Sequence, residues 1–230
     1  MLLGKVVVFY DGGAIEWRFV PKAQLYWKNA MTAHIPANKG KKYPPEPLTR
    51  DEVNAVLKAF SKRAPTAIRN KALVTILWRG GMRISEALNL KPKDVNFKEC
   101  TARVLLGKGK KSRLVGLDPQ AIAFLEKWFE VREQQGIEKA APVFCTLKGR
   151  KMHSNYVREM LKRIQKRAGI EKRVHPHGFR HTHAYELVQE GKNLNVIQRQ
   201  LGHSKASTTA VYIDHIAPLE MVEKIRKREW

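Results

Sequence analysis

The chain has 230 residues, of which 43% are hydrophobic and 28% charged, a balance that excludes disorder and allows a substantial buried core. Its 44 lysines and arginines against 21 acidic residues give a formal net charge of +23, which favours a polyanionic partner, nucleic acid above all, because neutralised phosphates release counterions. Two cysteines cannot make a disulfide framework and no apolar run approaches the roughly 20 residues of a membrane span, so we expect a cytoplasmic protein without membrane contact.

The first part of the chain predicts a β-hairpin. Residues 6–10 and 14–20 are rich in β-branched and aromatic side chains, and the Asp-Gly-Gly sequence between them is typical of a tight turn. A lone hairpin is marginal in water, so residues 1–37 must pack on another body or stay mobile, and we assign no function to them. Residues 38–47 are basic and proline-rich, which predicts an extended linker to one domain over residues 48–230.

Helical signals begin immediately after the linker. Thr49 to Glu52 fits a capping box, in which the two end side chains cap backbone N–H groups of each other. A second helix passes through Leu73 and ends at Gly80-Gly81. A short third helix contains Ser85 to Leu88.

The rest of the domain combines a small sheet with further helices. Residues 101–106 and 112–117 have strand character on either side of a basic turn. The next two helices begin at the Asp118-Pro119 pair and near Ser154. Later helices are expected at residues 178–190, 195–201, 207–213 and 218–228. The predicted fold class is mainly α with a small antiparallel β-sheet (α+β).

Six residues are of chemical interest. Five lie where predicted helices begin or turns bend, Arg83, Lys108, His177, Arg180 and His203, and the sixth, Tyr212, follows shortly after. Each has an ordinary structural explanation when it is taken alone. Arg83 can be a surface partner of Glu86, and Lys108 can be a solvated residue in a turn. His203 can simply lie beside a helix C-cap, and Tyr212 can be a core aromatic.

Taken together, the six residues fit chemistry at a phosphodiester. Two arginines can hold the non-bridging oxygens of one phosphate through planar forks, and donors aimed at charge that grows in the transition state act as an oxyanion hole does. A helix starting at Gly178 would bring His177 and Arg180 together, because they are three residues apart. A tyrosine nucleophile conserves the bond energy for rejoining, and a lysine on a turn can protonate the leaving 5′ oxygen.

This set resembles the tyrosine recombinase and phage integrase family, nearest to its Xer and integron-integrase branch, over residues 48–216. The motifs are GMRISEAL around Arg83, LGKGKKSRLVGL around Lys108, HPHGFRHTHA around His177 and Arg180, LGHS around His203 and STTAVYIDHI around Tyr212. The resemblance implies the catalytic-domain fold of that family.

The resemblance also implies a role for each motif residue. Tyr212 would attack the phosphodiester to leave a 3′-phosphotyrosine and a free 5′-hydroxyl, and Lys108 would be the general acid for that 5′ oxygen. The two arginines would bind the scissile phosphate, with a further hydrogen bond from His203. His177 would either assist proton transfer at the tyrosine or brace the phosphate. Neither a metal nor a nucleotide cofactor is implied.

The implied partners are double-stranded DNA and further copies of the chain. The family assembles as a dimer or tetramer on DNA by exchange of a C-terminal segment, and Leu219, Val222 and Ile225 would form the apolar face of such a helix. Packing of that helix on its own domain is the alternative. The expected activity is that of a nucleoid-associated, site-specific recombinase or integrase. Residues 1–47 are too short for the clamp domain that usually precedes the catalytic domain, which indicates either a natural short form or a fragment.

Other functions stay open at this point. The close spacing of His175, His177, His181 and His183 is compatible with a metal-dependent nuclease, although no acidic residues accompany the cluster. A catalytically degenerate protein that only binds DNA would explain the charge and the helices, but not the complete set of six residues. A type IB topoisomerase would share the chemistry, whereas the spacing of the HxxR and LGHS motifs favours a recombinase.

Overall fold

The structure is a computed structural model, and it describes residues 5–11, 14–20, 47–106, 111–203, 207 and 209–210. The chain divides into two compact units, Met1–Tyr43 and Pro44–Trp230. In the first unit, strand β1 (Lys5–Asp11) pairs antiparallel with strand β2 (Ala14–Val20). The predicted hairpin is therefore confirmed, and its first strand is one residue longer at each end than predicted.

The second unit is mainly helical within its described residues. Its helices are α1 (Arg50–Lys58), α2 (Pro65–Arg79), α3 (Ile84–Asn89), α4 (Pro119–Gln134), α5 (Ser154–Arg167), α6 (Pro176–Gln189) and α7 (Leu194–Leu201). Its antiparallel sheet has the order β3–β4–β5, with β3 (Val95–Asn96), β4 (Thr101–Leu106) and β5 (Lys111–Gly116). The expected class, mainly α with a small antiparallel sheet, is confirmed.

Two helices begin at the caps that the sequence predicts. The Thr49 hydroxyl accepts a hydrogen bond from the backbone N–H of Glu52 (3.1 Å), and the Glu52 carboxylate accepts one from the backbone N–H of Thr49 (2.6 Å). At the start of α4, Asp118 accepts a hydrogen bond from the backbone N–H of Ala121 (2.8 Å), and Pro119 occupies the first helical position. These side chains satisfy N–H groups that a helix leaves unpaired, which fixes where each helix starts.

Strand β3 has no counterpart among the predicted elements. It contains two residues, Val95 and Asn96, which is too short for an alternating pattern to identify. They pair with Ala102 and Thr101 of β4. Strands β4 and β5 pair on either side of residues 107–110, which lie outside the described part of the chain.

The sheet buries one face and exposes the other. Val104 and Val115 are at most 2% exposed, whereas Leu105 and Leu114 are 65% and 67% exposed. Because side chains alternate between the faces of a strand, Arg113 points inward with its pairing partner Val104. The sheet therefore delivers a charged side chain to the interior.

The core lies mainly between α2 and α4. Leu73, Ile76 and Leu125 are fully buried, and so is Trp128, whose indole N–H donates to the carbonyl oxygen of Val143 (2.7 Å). A smaller apolar cluster joins α6 to α7. Helix α6 contributes to both clusters, Phe179 to the main core and Ala184 to the smaller one.

Some predicted helix limits differ from the observed ones. The helix predicted over 178–190 begins earlier, at Pro176, because proline is favourable at the first helical position. Residues 207, 209 and 210 are helical, and the remainder of the helix predicted over 207–213 lies outside the described residues, as does the one predicted over 218–228. None of the described helices is long and apolar enough to cross a membrane.

Candidate active site

Four of the six predicted site residues lie within the described part of the chain, and two, Lys108 and Tyr212, lie outside it. Arg83 immediately precedes α3, His177 and Arg180 belong to the first half of α6, and His203 follows α7. These segments are distant in sequence, and hydrogen bonds and close packing bring them to one junction.

A glycine pair brings the end of α2 against α6. Gly80 is the C-cap of α2, and Gly81 has a φ of 58°, a conformation that favours glycine. A Cβ atom at Gly81 would lie 2.4 Å from Cδ2 of His183. Only glycine therefore allows this close approach, which turns the carbonyl oxygen of Gly81 toward Arg180.

Ion pairs hold the same helix end in place. Arg79 is paired with Asp118, the N-cap of α4, and with Glu186 of α6 (Nη1–Oε2 2.9 Å). Trp78 also donates its indole N–H to Glu186 (3.0 Å). These contacts fix α2, α4 and α6 to one another immediately before the turn that leads to Arg83.

Arg180 is the most deeply buried of the four described site residues, at 1% exposure. Its Nη1 donates to the carbonyl oxygen of Gly81 (2.6 Å), and its Nη2 donates to that of Leu201 (2.8 Å). Nη2 also lies 3.1 Å from Nε2 of His203. The carbonyl oxygens orient the guanidinium without cancelling its charge, so a positive charge stands where α2, α6 and α7 meet.

His203 is held as a neutral hydrogen-bond acceptor. An arginine can only donate, so Nε2 accepts from Arg180 and the ring proton resides on Nδ1. Nδ1 lies 3.0 Å from the hydroxyl oxygen of the buried Thr209 and donates to it. Burial, together with the charges of Arg180 and Arg83, lowers the pKa of His203 to about 4, in agreement with a neutral ring.

Arg83 lies at the rim of this junction, with its side chain 42% exposed. Its backbone N–H donates to Oε2 of Glu86 (2.8 Å), and its Nη1 donates to Oε1 of Glu86 (3.0 Å). The ordinary explanation of Arg83, an ion pair with Glu86, is therefore correct. The pair is compatible with a place in the site, because the charge of Arg83 is close enough to contribute to the lowered pKa of His203.

Sequence reasoning missed a second arginine at Glu86. The two Nη atoms of Arg113 donate to the two carboxylate oxygens (2.9 and 2.8 Å), and the paired side chains are 8% and 9% exposed. Burial alone would raise the pKa of Glu86, but the hydrogen bonds from Arg113 and Arg83 lower it to about 2. The available signal was the strand alternation, which places Arg113 on the inward face, where an arginine needs a partner.

His177 and Arg180 share a helix but differ in environment. The predicted start at Gly178 is wrong: α6 begins at Pro176, so His177 lies in its first turn and is exposed, whereas Arg180 is buried. The His177 ring packs edge-on against His181, with ring centroids 4.3 Å apart. Desolvation and the charge of Arg180 lower the pKa of His177, so its ring is mainly neutral at pH 7 and can accept a proton.

The clustered histidines occupy different surroundings. Nδ1 of His175 donates to the carbonyl oxygen of Arg173 (3.1 Å), and His183 lies against Gly81. Burial lowers the pKa of both His181 and His183 to about 3. In the part of the chain that the structure describes, no three His, Cys, Asp or Glu residues are arranged to hold a metal ion.

Described residues flank the two site residues that are not described themselves. Lys108 belongs to residues 107–110, between the end of β4 and the start of β5. Tyr212 comes three residues after Thr209, which is fully buried and bonded to His203. The roles of Lys108 and Tyr212 remain predictions from the sequence.

The chain is similar to known recombinases in sequence and in structure. The profile of the phage integrase family matches residues 46–217. A tyrosine recombinase of Thermosipho africanus (strain TCF52B) is 37% identical over 184 residues, which cover 80% of this chain and 62% of that protein. The crystal structure of XerA recombinase has a TM-score of 0.71 at 28% identity, over 90% of this chain and 74% of that one. The crystal structure of the XerH site-specific recombinase bound to palindromic difH substrate, a post-cleavage complex, has a TM-score of 0.67 at 30% identity, over 81% of this chain and 54% of that one.

These likenesses confirm the catalytic-domain fold that the motifs imply. The chain spans 62% of the length of the Thermosipho recombinase. The match to the family profile starts before α1 and runs past Tyr212, so it includes all six predicted site residues. The chain belongs to the phage integrase family of tyrosine recombinases.

Proposed function

We propose that the chain is the catalytic part of a site-specific DNA recombinase or integrase that works through a 3′-phosphotyrosyl intermediate. The hydroxyl oxygen of Tyr212 forms a bond to phosphorus, and the bond from phosphorus to the 5′ oxygen breaks. Lys108 gives a proton to the departing 5′ oxygen, and the proton of the tyrosine passes to His177. Rejoining reverses these steps when a 5′-hydroxyl attacks the phosphotyrosine bond.

The observation that carries the proposal is that two guanidinium groups from separate segments, those of Arg180 and Arg83, both lie close enough to His203 to lower its pKa. Arg180 is fixed by the carbonyl oxygens of Gly81 and Leu201, and Arg83 reaches the same junction from the rim. Two planar, cationic donors suit the two non-bridging oxygens of one phosphate. Because Arg180 is buried, its attraction for the charge that develops on a pentavalent phosphate is only weakly screened by water.

His203 supports this role through a reversible hydrogen bond. To donate to a phosphate oxygen, the ring must carry its proton on Nε2, and Nδ1 must then accept. The Thr209 hydroxyl, 3.0 Å from Nδ1, allows this exchange because a hydroxyl can donate as well as accept. We infer that phosphate binding reverses the direction of the His203–Thr209 hydrogen bond.

Double-stranded DNA is the proposed substrate, and the nucleoid is the place of action that follows from it. The net charge of +23 supports this choice, as does the similar XerH recombinase, whose crystal structure is a complex with its difH substrate. Assembly into a dimer or tetramer through the C-terminal helix rests on the motif resemblance, because residues 218–228 lie outside the described part of the chain.

Covalent capture on DNA tests the proposal. Duplex sites would be selected from a random pool by binding, and then rebuilt with a nick beside the candidate scissile phosphate, so that the released fragment is lost and rejoining cannot occur. The wild type should give a protein–DNA band that survives denaturation. Tyr212→Phe removes one oxygen and little volume, and it should give no band.

Tyr185→Phe is the matched control, because the Tyr185 hydroxyl accepts a hydrogen bond from the side chain of Gln189 (2.7 Å) and lies outside the proposed site. This variant should keep the covalent band. A band of undiminished strength in Tyr212→Phe would contradict the assignment of the nucleophile.

A further inference from the structure

Arg113 connects three segments of the candidate site. Its two Nη atoms bind the carboxylate of Glu86, at the start of α3, and its Nε donates to the carbonyl oxygen of Gln200 at the end of α7 (3.1 Å). The side-chain amide of Gln200 in turn bonds both the N–H and the carbonyl of Gly116 in β5 (3.1 and 2.9 Å). One guanidinium on β5 therefore ties together the helix that follows Arg83 and the helix that precedes His203.

The backbone next to His203 is shaped around the Arg113 side chain. Gly202 has a φ of 71° and forms the C-cap of α7. A Cβ atom at Gly202 would lie 2.7 Å from both Cδ and Nη1 of Arg113, so any larger residue would displace the guanidinium. The close fit indicates that the position of Arg113 is specified by the fold.

The charges around Glu86 explain what Arg113 contributes. Arg83 and Arg113 carry two positive charges against the one negative charge of Glu86, which leaves a net charge of +1 in this group. Without Arg113 the sum would be zero, and a nearly buried carboxylate would hold Arg83 alone. Such a carboxylate would compete with a phosphate for the guanidinium of Arg83.

We propose that Arg113 is a positioning residue that neutralises Glu86 and so keeps Arg83 available to the scissile phosphate. The inference rests on the proposed function, since it assigns Arg83 to phosphate binding. Arg113 acts through Glu86, which binds both of its Nη atoms. Its effect on the charge available at Arg83 is distinct from any contribution that it makes to folding.

Single-turnover cleavage of the nicked substrate by three variants provides the first test. Arg113→Met should slow cleavage by about 10- to 100-fold, because donation by Arg83 is impaired rather than lost. Glu86→Gln removes the competing charge and keeps an oxygen that can accept from Arg83. The double variant Arg113→Met/Glu86→Gln should therefore cleave faster than Arg113→Met.

A second readout does not depend on how much of each variant is folded. Each preparation would cleave two substrates, one with the natural phosphodiester and one with a methylphosphonate at the scissile position, so that the folded fraction cancels in the ratio of the rates. In the methylphosphonate, a methyl group replaces one charged non-bridging oxygen. Cleavage of this substrate therefore depends less on the positive charge of Arg83. The defect of Arg113→Met should shrink by at least about tenfold on this substrate, and Arg83→Ala should show the same pattern.

Arg103→Met is the matched control on the neighbouring strand. Arg103 is also paired with a carboxylate, that of the buried Asp94 (3.8 Å), but it has no hydrogen bond to Glu86 among the described residues. This variant should keep the ratio of the wild type. Equal defects of Arg113→Met on both substrates, or a double variant no faster than Arg113→Met, would overturn the inference.

If the wild type forms no covalent adduct, the proposed function fails and the inference with it, whereas an active wild type with an unchanged ratio in Arg113→Met refutes the inference alone.

Discussion

The Nη1 atom of Arg180 lies 2.6 Å from the carbonyl oxygen of Gly81, although 99 residues separate the two in sequence. The hydrogen bond joins the helix that carries the buried arginine to the turn that leads to Arg83. The two segments that carry the guanidinium groups of Arg180 and Arg83 are therefore joined by this hydrogen bond. Because Gly81 has a positive φ and no room for a Cβ atom, this hydrogen bond depends on glycine at that position.

Loss of either arginine should impair cleavage far more than binding. Arg180→Lys keeps a charge but loses the planar fork that reaches Gly81 and Leu201 together, and it should slow single-turnover cleavage by about 10²–10³, as should Arg83→Ala. Binding measured by gel shift should fall much less, because many basic residues of a chain with net charge +23 remain to contact phosphates. Cleavage within a few-fold of the wild type would remove that arginine from the site.

The role of Lys108 can be separated from that of its neighbours by changing the leaving group. A sulfur in place of the bridging 5′ oxygen departs without a proton, so a general acid becomes dispensable. Cleavage by Lys108→Ala should therefore recover on the 5′-bridging phosphorothiolate, whereas cleavage by Arg83→Ala should not. Recovery of Lys110→Ala instead of Lys108→Ala would show that another lysine of the turn is the acid.

Chelation should leave the reaction intact. The proposed chemistry uses cationic side chains at the phosphate, so covalent capture should proceed at the same rate in excess EDTA. The comparison would be made on one preparation before and after chelation. Loss of the covalent product, with recovery on addition of a divalent ion, would favour the alternative of a metal-dependent nuclease at the histidine cluster.

Stability should fall in acid partly because of His183. Burial lowers the pKa of His183 from its ordinary 6.5 to about 3, so the unfolded state takes up the proton first as the pH falls. The stability that the neutral ring provides is complete above pH 6.5 and decreases toward pH 3. Urea titrations should show that the free energy of unfolding falls less between pH 6.5 and 4 in His183→Gln than in the wild type. The two decreases should differ by at least about 1.4 kcal/mol. His153→Gln, at an exposed histidine, is the control, and equal acid slopes in wild type and His183→Gln would contradict the prediction.

Binding by one protomer should be modest and strongly salt-dependent. Each neutralised phosphate adds about 0.9 to the slope of log affinity against log salt, and the 44 lysines and arginines of the chain supply such contacts. Removal of residues 217–230 should abolish cooperative binding to paired sites while single-site binding persists, and removal of residues 1–37 should affect assembly less. Tight, selective binding to one half-site with a shallow salt slope would contradict this expectation.

Sequence signals predicted two helix starts whose determining contacts are local. The capping box from Thr49 to Glu52 and the Asp118-Pro119 start of α4 each depend on residues within one helical turn, and both appear as predicted. Strand β3 escaped prediction because two residues form it only by pairing with β4. Local patterns thus specified these helix starts, whereas a strand of two residues that is defined only by its pairing left no readable pattern.

The same division holds for the candidate site. Motifs around Arg83, Arg180 and His203 identified residues that the structure brings to one junction. The pairing of Arg113 with Glu86 joins residues 27 positions apart, with no periodicity that relates them. Strand alternation places Arg113 on the inward face of β5, but its pairing with Glu86 is a long-range contact that appears only in the folded chain.

The hydrogen bond between His203 and Thr209 links a proposed phosphate-binding group to a residue three positions before the proposed nucleophile, Tyr212. Any displacement that carries Thr209 away from His203 moves the chain three residues before Tyr212 and also leaves the imidazole without its tautomer-fixing partner. A protomer in that state would lack both an aimed nucleophile and a correctly protonated imidazole. If the chain assembles on DNA as proposed, a subunit in that state would be doubly protected against untimely strand scission.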